Sequence, residues 1–275
     1  MADEADDALL ARVRAGDDAA LEALLARYQA QVYRFGRRMC RDPEDARDVL
    51  QETLLAATRS VRDFRGASSL STWLYTVARS FCIKQRRRSK FAPTEVRSLD
   101  ADDRAAGGLD DPAPRPDQAL ADRRVARALE QAIAALAPPY REVLVLRDVE
   151  GLTAPEVAEV LGVGVAAVKS RLHRARAAVR ERLAPLVEDA APAATPAGTC
   201  PDIVSLFSRH LEGDIEPAAC ARMERHLAAC GRCRGACDAL RRTLELCRAS
   251  AGAVEVPAAV QAEVRAAIRA LQGGG

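Results

Sequence analysis

The sequence predicts an all-α protein of three helical modules, and two observations support that prediction. Aromatic residues are only 4% of the 275-residue chain, whereas Ala and Leu dominate its apolar half, as is typical of helices rather than sheets. Apolar residues also recur at helical spacing over residues 1–90, 118–184 and 200–275, without an alternating pattern long enough for a sheet. Between these modules, residues 91–117 and 185–199 are rich in Pro and small residues and predict flexible linkers.

The charges of the chain are segregated, although its formal net charge is only +2. Residues 84–90 contain five basic side chains and residues 169–182 are basic as well, whereas residues 1–18 are acidic. Segregated charge indicates binding partners better than the total does. The acidic N-terminus lacks the apolar segment of a secretion signal, and no apolar run is long enough to span a membrane. We therefore expect a cytoplasmic protein, in which clustered cysteines indicate metal ligands or redox switches.

The first module has helical periodicity throughout residues 5–88, which predicts a continuous helical stretch. Its clearest helix begins at Asp42, an N-cap residue that is followed by Pro43 and by acidic residues in the first turn. The predicted buried stripe of this helix consists of Ala46, Val49, Leu50, Thr53, Leu54 and Ala57. A second helix begins near residues 71–72 and runs into the basic stretch at residues 84–90.

This second helix and the loop before it combine aromatic and basic residues, in the sequence FRGASSLSTWLYTVARSFCIKQRRR. Aromatic rings stack on unpaired bases while basic side chains hold the backbone, so Phe64 and Trp73 are candidates for binding a single strand. The small polar loop RGASS would leave room for a flipped base. The alternative is that the aromatic rings are only core residues, which applies most to Tyr75.

The second module contains a predicted helix-turn-helix. Thr153 and Glu156 have the spacing of a capping box, and Gly162 ends the short helix that follows. Val168 and Leu172 then begin a second buried stripe. The second helix would expose basic and polar side chains suited to the base edges and phosphates of a major groove. A helical hairpin with a solvated basic face is the alternative, but the cap, the glycine turn and the asymmetric charge favour DNA binding.

Together these stretches resemble the extracytoplasmic-function type of bacterial RNA polymerase sigma factor. The resemblance rests on DPEDARDVLQETLLAA, FRGASSLSTWLYTVAR and LAPPYREVLVLRDVEGLTAPEVAEVLGVGVAAVKSRLHRARAAV, which lie within residues 8–88 and 118–183. It implies that residues 1–90 are sigma region 2, that residues 118–184 are sigma region 4, and that core RNA polymerase and promoter DNA are the partners. The sequence contains no catalytic constellation, so we expect a transcription initiation factor rather than an enzyme.

The resemblance also implies roles for individual residues. Binding to the polymerase is assigned to Asp45, Asp48, Gln51 and Glu52. Capture of the melted −10 element is assigned to Phe64, Ser68, Trp73, Ser80, Lys84 and Arg87. Recognition of the −35 element as duplex is assigned to Arg147, Lys169, Ser170, Arg171, His173 and Arg174. Ser80 stands where many relatives carry Asn, and His173 where an aromatic residue is common, so the promoter sequence is not implied.

The third module concentrates cysteine and histidine. Cys230 and Cys233 form a CxxC pair, His226 lies four residues before it, and Cys200 lies 26 residues before the histidine. Three cysteines and one histidine suit tetrahedral Zn²⁺. With HLEGDI in between, this spacing resembles the zinc-binding anti-sigma domain, here fused behind its target as residues 200–275.

The tail has more cysteines than one zinc site needs. Three of them are candidates for additional ligands: Cys220, Cys237 and Cys247. On a continuous helix, the histidine and three of the cysteines would form one thiol-rich stripe. The tail therefore also resembles that of metal-responsive sigma factors, which implies copper, cadmium or zinc as the sensed ion, and a thiol–disulfide switch is a further alternative. Cys40 and Cys82 lie in apolar helical patterns and are expected to be buried and inert.

Two hypotheses for the function follow. The first is a sigma factor that is controlled by its own tail, with a separate anti-sigma factor as a further partner. The second is a metal-responsive DNA-binding regulator that does not bind core polymerase, because the helix-turn-helix alone would allow it. The sequence leaves open whether the tail activates or inhibits.

Overall fold

The computed structural model describes residues 2–40, 42–91, 116–187, 200–252 and 254–273. These residues form helices and connecting turns with no strand among them, which confirms the predicted all-α class. None of the helices in the described ranges is long and apolar enough to cross a membrane. The two predicted linkers lie almost wholly outside the described residues.

Four α-helices and a short 3₁₀ helix form the first module. They are α1 (Ala2–Arg14), α2 (Asp18–Met39), α3 (Pro43–Ser60), the 3₁₀ helix (Val61–Asp63) and α4 (Leu70–Phe91). The continuous stretch predicted for residues 5–88 is therefore wrong, because capped turns divide it. Asp17 caps α2 by accepting the N–H of Ala20 at 3.0 Å, and Asp42 caps α3 by accepting the N–H of Glu44 at 2.8 Å. The turns allow the apolar stripes of successive helices to pack on one another.

The buried stripe of α3 is confirmed. All six of its predicted residues are buried, and α3 packs against α2 on one side and α4 on the other. The acidic side chains Asp48 and Glu52 lie on the opposite, exposed side of the helix.

Four further α-helices form the second module. They are α5 (Pro116–Ala134), α6 (Pro138–Leu144), which continues into a π-helical turn (Val145–Val149), α7 (Ala154–Leu161) and α8 (Val165–Val187). The capping box of Thr153 and Glu156 is present, and Gly162 ends α7 in the left-handed conformation at φ +65°. Val168 and Leu172 are fully buried. The predicted helix-turn-helix, α7–α8, is therefore confirmed.

The last four helices form the tail. They are α9 (Ile203–Leu211), α10 (Pro217–Ala229), α11 (Gly231–Ala249) and α12 (Ala258–Gly273). A small apolar core between α9, α10 and α11 holds Cys230, Cys233 and Cys237. The α12 stripe is buried elsewhere, since Val260 and Val264 join the large core of the first two modules.

The three modules pack against one another. Helix α7 lies against α4, and α5 and α6 contact α2, so the first two modules meet face to face. From the tail, α9 and α11 lie on α8, while α12 lies on α2 and α3. The tail therefore contacts both of the other modules.

Candidate metal centre and nucleic-acid interface

The four predicted metal ligands converge in the tail. The Sγ atoms of Cys200, Cys230 and Cys233 and a ring nitrogen of His226 all lie within 4.8 Å of one another. Cys200 Sγ is 3.9 Å from Cys230 Sγ, and His226 Nε2 is 3.1 Å from Cys233 Sγ. Cys230 and Cys233 are buried and the other two residues are half-buried. A closed set of three thiols and one imidazole is typical of structural zinc sites.

The centre depends on a break between two helices at Cys230. This residue is extended, at φ −117° and ψ 102°, where α10 ends and α11 begins. The prediction of one continuous thiol-rich stripe over residues 226–237 is therefore wrong. On a straight helix these residues would be spread over about 16 Å. The break places Cys233 next to His226, and this proximity allows the four ligands to converge.

The surroundings of the cysteine ligands act on their thiols in opposite directions. Arg232 Nη2 donates a hydrogen bond to Cys200 Sγ at 2.9 Å. The backbone N–H of Cys233 lowers the pKa of the Cys230 thiol, whereas burial raises the pKa of the Cys233 thiol to about 12. Since metals bind the thiolate, a cation that binds Cys233 would displace the thiol proton into solvent.

The other cysteines lie outside this group of four. Cys237 is buried in the small tail core and Cys247 in the large core, and burial raises their pKa values to about 11 and about 12. Cys220 is half-buried near the start of α10. Cys40 and Cys82 are buried as expected, with their Sγ atoms 3.8 Å apart.

The residues assigned to the −35 element form a basic face on α8 and the π-helical turn, and the tail covers part of it. Ser170 and Arg174 are exposed, whereas the remaining four are half-buried: Arg147, Lys169, Arg171 and His173. Lys169 Nζ pairs with Asp214 at 3.1 Å, and Arg147 Nε pairs with Glu212 at 3.1 Å. Both carboxylates belong to the turn between α9 and α10.

A buried arginine links this basic face to the tail. Arg176, whose side chain is 2% exposed, donates to both carboxylate oxygens of Asp148 at 2.6 and 2.8 Å. It also donates to Glu212 Oε1 at 2.7 Å and to Ser208 Oγ at 3.2 Å. Arg176 is not among the residues predicted from the sequence. Because Arg176 lies four residues after Leu172, on the buried stripe of α8, the helical spacing could have identified it as a buried arginine.

The residues assigned to the −10 element lie at the start of α4 and along it. The rings of Phe64 and Trp73 are half-buried and 5.6 Å apart, and Ser68 beside them is half-buried too. Farther along α4 the assigned residues are exposed: Ser80, Lys84 and Arg87. Helix α7 packs against this end of α4, where Ser69 Oγ lies 3.4 Å from Glu156 Oε1.

Tyr75 is a core residue, as the alternative for the aromatic helix predicted. It is 2% exposed, and its ring meets that of Phe35 edge to face at 5.4 Å. Its hydroxyl donates to Glu150 Oε2 at 2.7 Å. The aromatic residues of the helix are therefore divided between the core and a partly accessible face.

The residues assigned to polymerase binding form an acidic face on α3. Asp48 and Glu52 are exposed, and Asp45 and Gln51 are half-buried. Partial burial and the neighbouring carboxylates raise the pKa of Asp45. Helix α12 packs on a neighbouring face of α3, where Arg47 pairs with Glu263 at 2.8 Å.

Two arginines of α2 join all three modules. Arg34 donates to both oxygens of Glu150 at 2.5 and 2.7 Å and to the carbonyl of Ala251 at 2.7 Å. Arg38 donates to Glu130 Oε1 at 2.7 Å and to Ser250 Oγ at 2.9 Å. Neither arginine is predicted from the sequence, because their partners lie about a hundred positions or more away in the chain.

Family comparisons agree with this arrangement of modules. Sequence models of sigma-70 region 2, of sigma-70 region 4 and of a zinc-finger family match residues 24–91, 126–179 and 200–234. The helical fold and these three family matches therefore define a sigma-70-type transcription initiation factor that carries a zinc-finger domain in the same chain.

Individual relatives narrow the class. The RNA polymerase sigma-H factor of Pseudomonas aeruginosa is 32% identical over 195 residues, which are 68% of this chain and 98% of the relative. The ECF RNA polymerase sigma-E factor of Salmonella typhimurium is 30% identical over 186 residues, 66% of this chain and 96% of the relative. A solved structure, CnrH in complex with the cytosolic domain of CnrY, is 27% identical at a TM-score of 0.47, and the match covers 66% and 98% of the two chains.

The chain belongs to the extracytoplasmic-function family of sigma factors, which direct core RNA polymerase to promoters. This membership decides against the alternative of a DNA-binding regulator that does not bind core polymerase. About two thirds of this chain aligns with almost the full length of each of these relatives. The zinc-finger match at residues 200–234 thus accompanies a complete pair of sigma modules.

Proposed function

We propose that this sigma factor is held closed by its own C-terminal domain, with module boundaries at residues 90, 118, 184 and 200. One observation carries the proposal: Glu212 and Asp214 pair with three basic side chains of the second module. These side chains are Arg147, Lys169 and Arg176. Two of them belong to the surface assigned to the −35 element. The carboxylates thus occupy positions that DNA phosphates would take.

The shape of the closed chain supports the same proposal. Helix α8 is covered by α9 and α11, whereas a recognition helix must enter a major groove about 12 Å wide, which admits one helix. His173 is half-buried under the tail, and only Ser170 and Arg174 of the assigned set are exposed. Binding of the −35 element therefore requires α9 and α11 to leave α8.

In the first module, the surface assigned to the −10 element is partly covered, whereas the surface assigned to polymerase is accessible. Helix α7 packs on the start of α4, where Glu156 contacts Ser69 beside the residues assigned to the −10 element. In contrast, Asp48 and Glu52 of the assigned polymerase surface are exposed. Closure is therefore proposed to block promoter binding more directly than polymerase binding.

The contacts between the modules favour a reversible closure. The tail meets the second module through charged pairs of Glu212 and Asp214 with Arg147, Lys169 and Arg176. Interfaces between domains that contain many polar contacts permit relative motion more readily than apolar cores do. The tail can thus be a control element rather than a permanent part of the sigma core.

We further propose that Cys200, His226, Cys230 and Cys233 bind Zn²⁺. The donor set and its burial fit this ion, which would supply a cross-link and no reaction chemistry. Its ligands join the segment before α9 to the break between α10 and α11. Zinc would therefore stabilise the part of the tail that covers α8. Two further statements remain predictions from the sequence. One is that the tail senses copper or cadmium, and the other is that a separate anti-sigma factor binds the chain.

Promoter-specific transcription with core polymerase tests the closure. The full chain is compared with a chain that ends at residue 187, after α8. The relatives of about 190 residues support the expectation that the shorter chain is a complete sigma factor. We expect the shorter chain to be the more active one. Equal activity of the two chains would contradict closure by the tail, and no promoter-specific activity in either would contradict the sigma function.

A second experiment tests the assigned polymerase surface. Asp48→Lys with Glu52→Lys in the chain that ends at residue 187 should abolish binding to core polymerase, because an exposed acidic face becomes basic. Binding of a −35 duplex should be unchanged, since neither residue lies in the second module. Loss of both activities would indicate misfolding, and loss of neither would remove these residues from the interface.

A further inference from the structure

A second group of potential metal ligands lies where α9 ends and α10 begins. Cys220 Sγ is 3.5 Å from His210 Nδ1 and 3.6 Å from Glu224 Oε1. Two ligands of one tetrahedral ion, with bonds of about 2.1 and 2.3 Å, lie about 3.6 Å apart. These two separations match those that a shared ion imposes, whereas the His210 and Glu224 ligand atoms lie more than 4.8 Å apart. The ring of Phe207 lies nearly parallel to the His210 ring, with 6.1 Å between the ring centroids.

We infer that His210, Cys220 and Glu224 form a second metal site, for an exchangeable thiophilic divalent cation such as Zn²⁺ or Cd²⁺. Thiolate, imidazole and carboxylate together suit soft and borderline ions rather than Mg²⁺ or Ca²⁺. Within the described ranges, only the four-residue centre has all of its ligand atoms within 4.8 Å of one another. A cation at the second site would therefore draw an exposed side chain inward.

The two sites differ in their access to solvent. The four-residue centre includes Cys230 and Cys233, which are buried, as in a structural site. At the second site His210 and Glu224 are exposed and Cys220 is half-buried. An ion there can exchange with the surroundings without unfolding the tail. Occupancy of the second site would therefore follow the concentration of free metal.

The second site flanks the turn that covers the basic face, and this step rests on the proposed closure. His210 lies at the end of α9 and Cys220 near the start of α10. Between them lie Glu212 and Asp214, the two carboxylates that pair with the second module. In the closed chain Cys220 already lies beside both other ligands. An ion that joins the three should therefore stabilise this turn and strengthen closure.

The binding test uses the full chain, stripped of metal and titrated with Zn²⁺. The unsubstituted chain should bind two ions, and Cys220→Ser should bind one while it keeps its helical content. Glu224→Gln should weaken binding of the second ion at least tenfold. The matched control Glu216→Gln should not, because Glu216 is exposed and lies at the start of α10 outside the ligand group. A single ion in the unsubstituted chain, or two in Cys220→Ser, would overturn the site.

Transcription separates the site from its regulatory effect. Raising Zn²⁺ from a level that fills one site to one that fills both should lower transcription by the full chain severalfold. Cys220→Ser should not respond over this range, nor should the chain that ends at residue 187. If two ions bind and transcription does not change, the regulatory step is overturned while the site stands. If the shorter chain is no more active than the full chain, the proposed closure itself fails.

Discussion

Glu212 is the side chain through which the tail holds the second module most directly. Its side chain is 6% exposed and bonds to both Arg147 and Arg176. Burial raises the pKa of Glu212, but the two arginines outweigh burial and leave the pKa lowered overall. The residue is therefore ionised in the closed chain at neutral pH, where its charge stabilises closure.

Glu212→Gln should open the full chain. Glutamine keeps the size of the side chain but loses its charge, and Arg176 retains Asp148, so the second module should stay folded. Hydrogen bonds to charged groups contribute about 1.5–3 kcal/mol, so the open fraction should rise about tenfold or more. Transcription by the full chain measures the effect.

Asp214→Asn is the matched control for Glu212→Gln. Its pair with Lys169 is partly exposed, at 27% and 48% of the two side chains. Such pairs contribute at most about 1 kcal/mol. Asp214→Asn should therefore raise transcription less than Glu212→Gln, and the reverse order would contradict the central role of Glu212.

His173 should make closure depend on pH. Burial lowers its pKa below the ordinary value; of the charges that face it, Asp202 opposes this shift and three arginines reinforce it. These arginines are Arg174, Arg176 and Arg209. Because the closed chain favours neutral histidine, closure is fully stable above the ordinary pKa of about 6.5 and weakens as the pH falls towards the lowered value.

The measurement is binding of a −35 duplex at about pH 8 and about pH 6. Relative to the chain that ends at residue 187, the full chain should bind better at the lower pH. His173→Gln in both chains should remove this relative change, although it alters DNA binding itself. A full chain that closes further on acidification would contradict this role of His173.

At the scale of whole elements, the helix starts were the most predictable features. Asp42 and Thr153 accept hydrogen bonds from backbone groups two or three residues away, and Gly162 ends α7 by its own conformation. Such signals are local, so the sequence contains everything that they need. The four-residue centre was predictable for a similar reason, since metal chemistry selects its ligand types.

Contacts between elements were not predictable in the same way. Arg34 meets Glu150 across 116 positions of the chain, and this pairing exists only once whole modules have packed. For the same reason Lys169 and His173, expected on an exposed face of α8, are half-buried under the tail. The residues of the DNA-binding face were identifiable from the sequence, whereas its coverage was not.

We expect that α12 can be detached from the first module while the rest of the tail stays folded. Val264 is 2% exposed against the large core, so Val264→Asp would bury an unpaired charge and should release α12 from α2 and α3. Hydrogen exchange over residues 258–273 should then increase, while the four-residue centre stays protected. Ala266→Asp on the exposed side of α12 is the control and should change nothing. Unchanged exchange in Val264→Asp would contradict docking of α12 by its apolar stripe.

At the scale of the whole molecule, the tail has two anchors with different properties. Helix α9 and the turn after it hold the second module through Ser208 and Glu212, which bond to Arg176, whereas α12 packs an apolar stripe into the core of the first. The small core that positions α9 includes two of the four predicted metal ligands. The first anchor should therefore depend on metal, because a core of so few apolar residues gains much of its stability from a bound ion.

Removal of metal from the full chain should thus activate it. Binding of structural zinc contributes about 10–16 kcal/mol to the folding of small domains, so the metal-free tail should lose its core and release α8. Transcription should rise towards that of the chain that ends at residue 187, and Cys230→Ser with Cys233→Ser should reproduce the rise. The shorter chain is the control, since it lacks all four ligands and should not respond to metal removal. If the full chain demonstrably loses its metal and its transcription stays low, the zinc centre does not support closure and the charged contacts of Glu212 suffice alone.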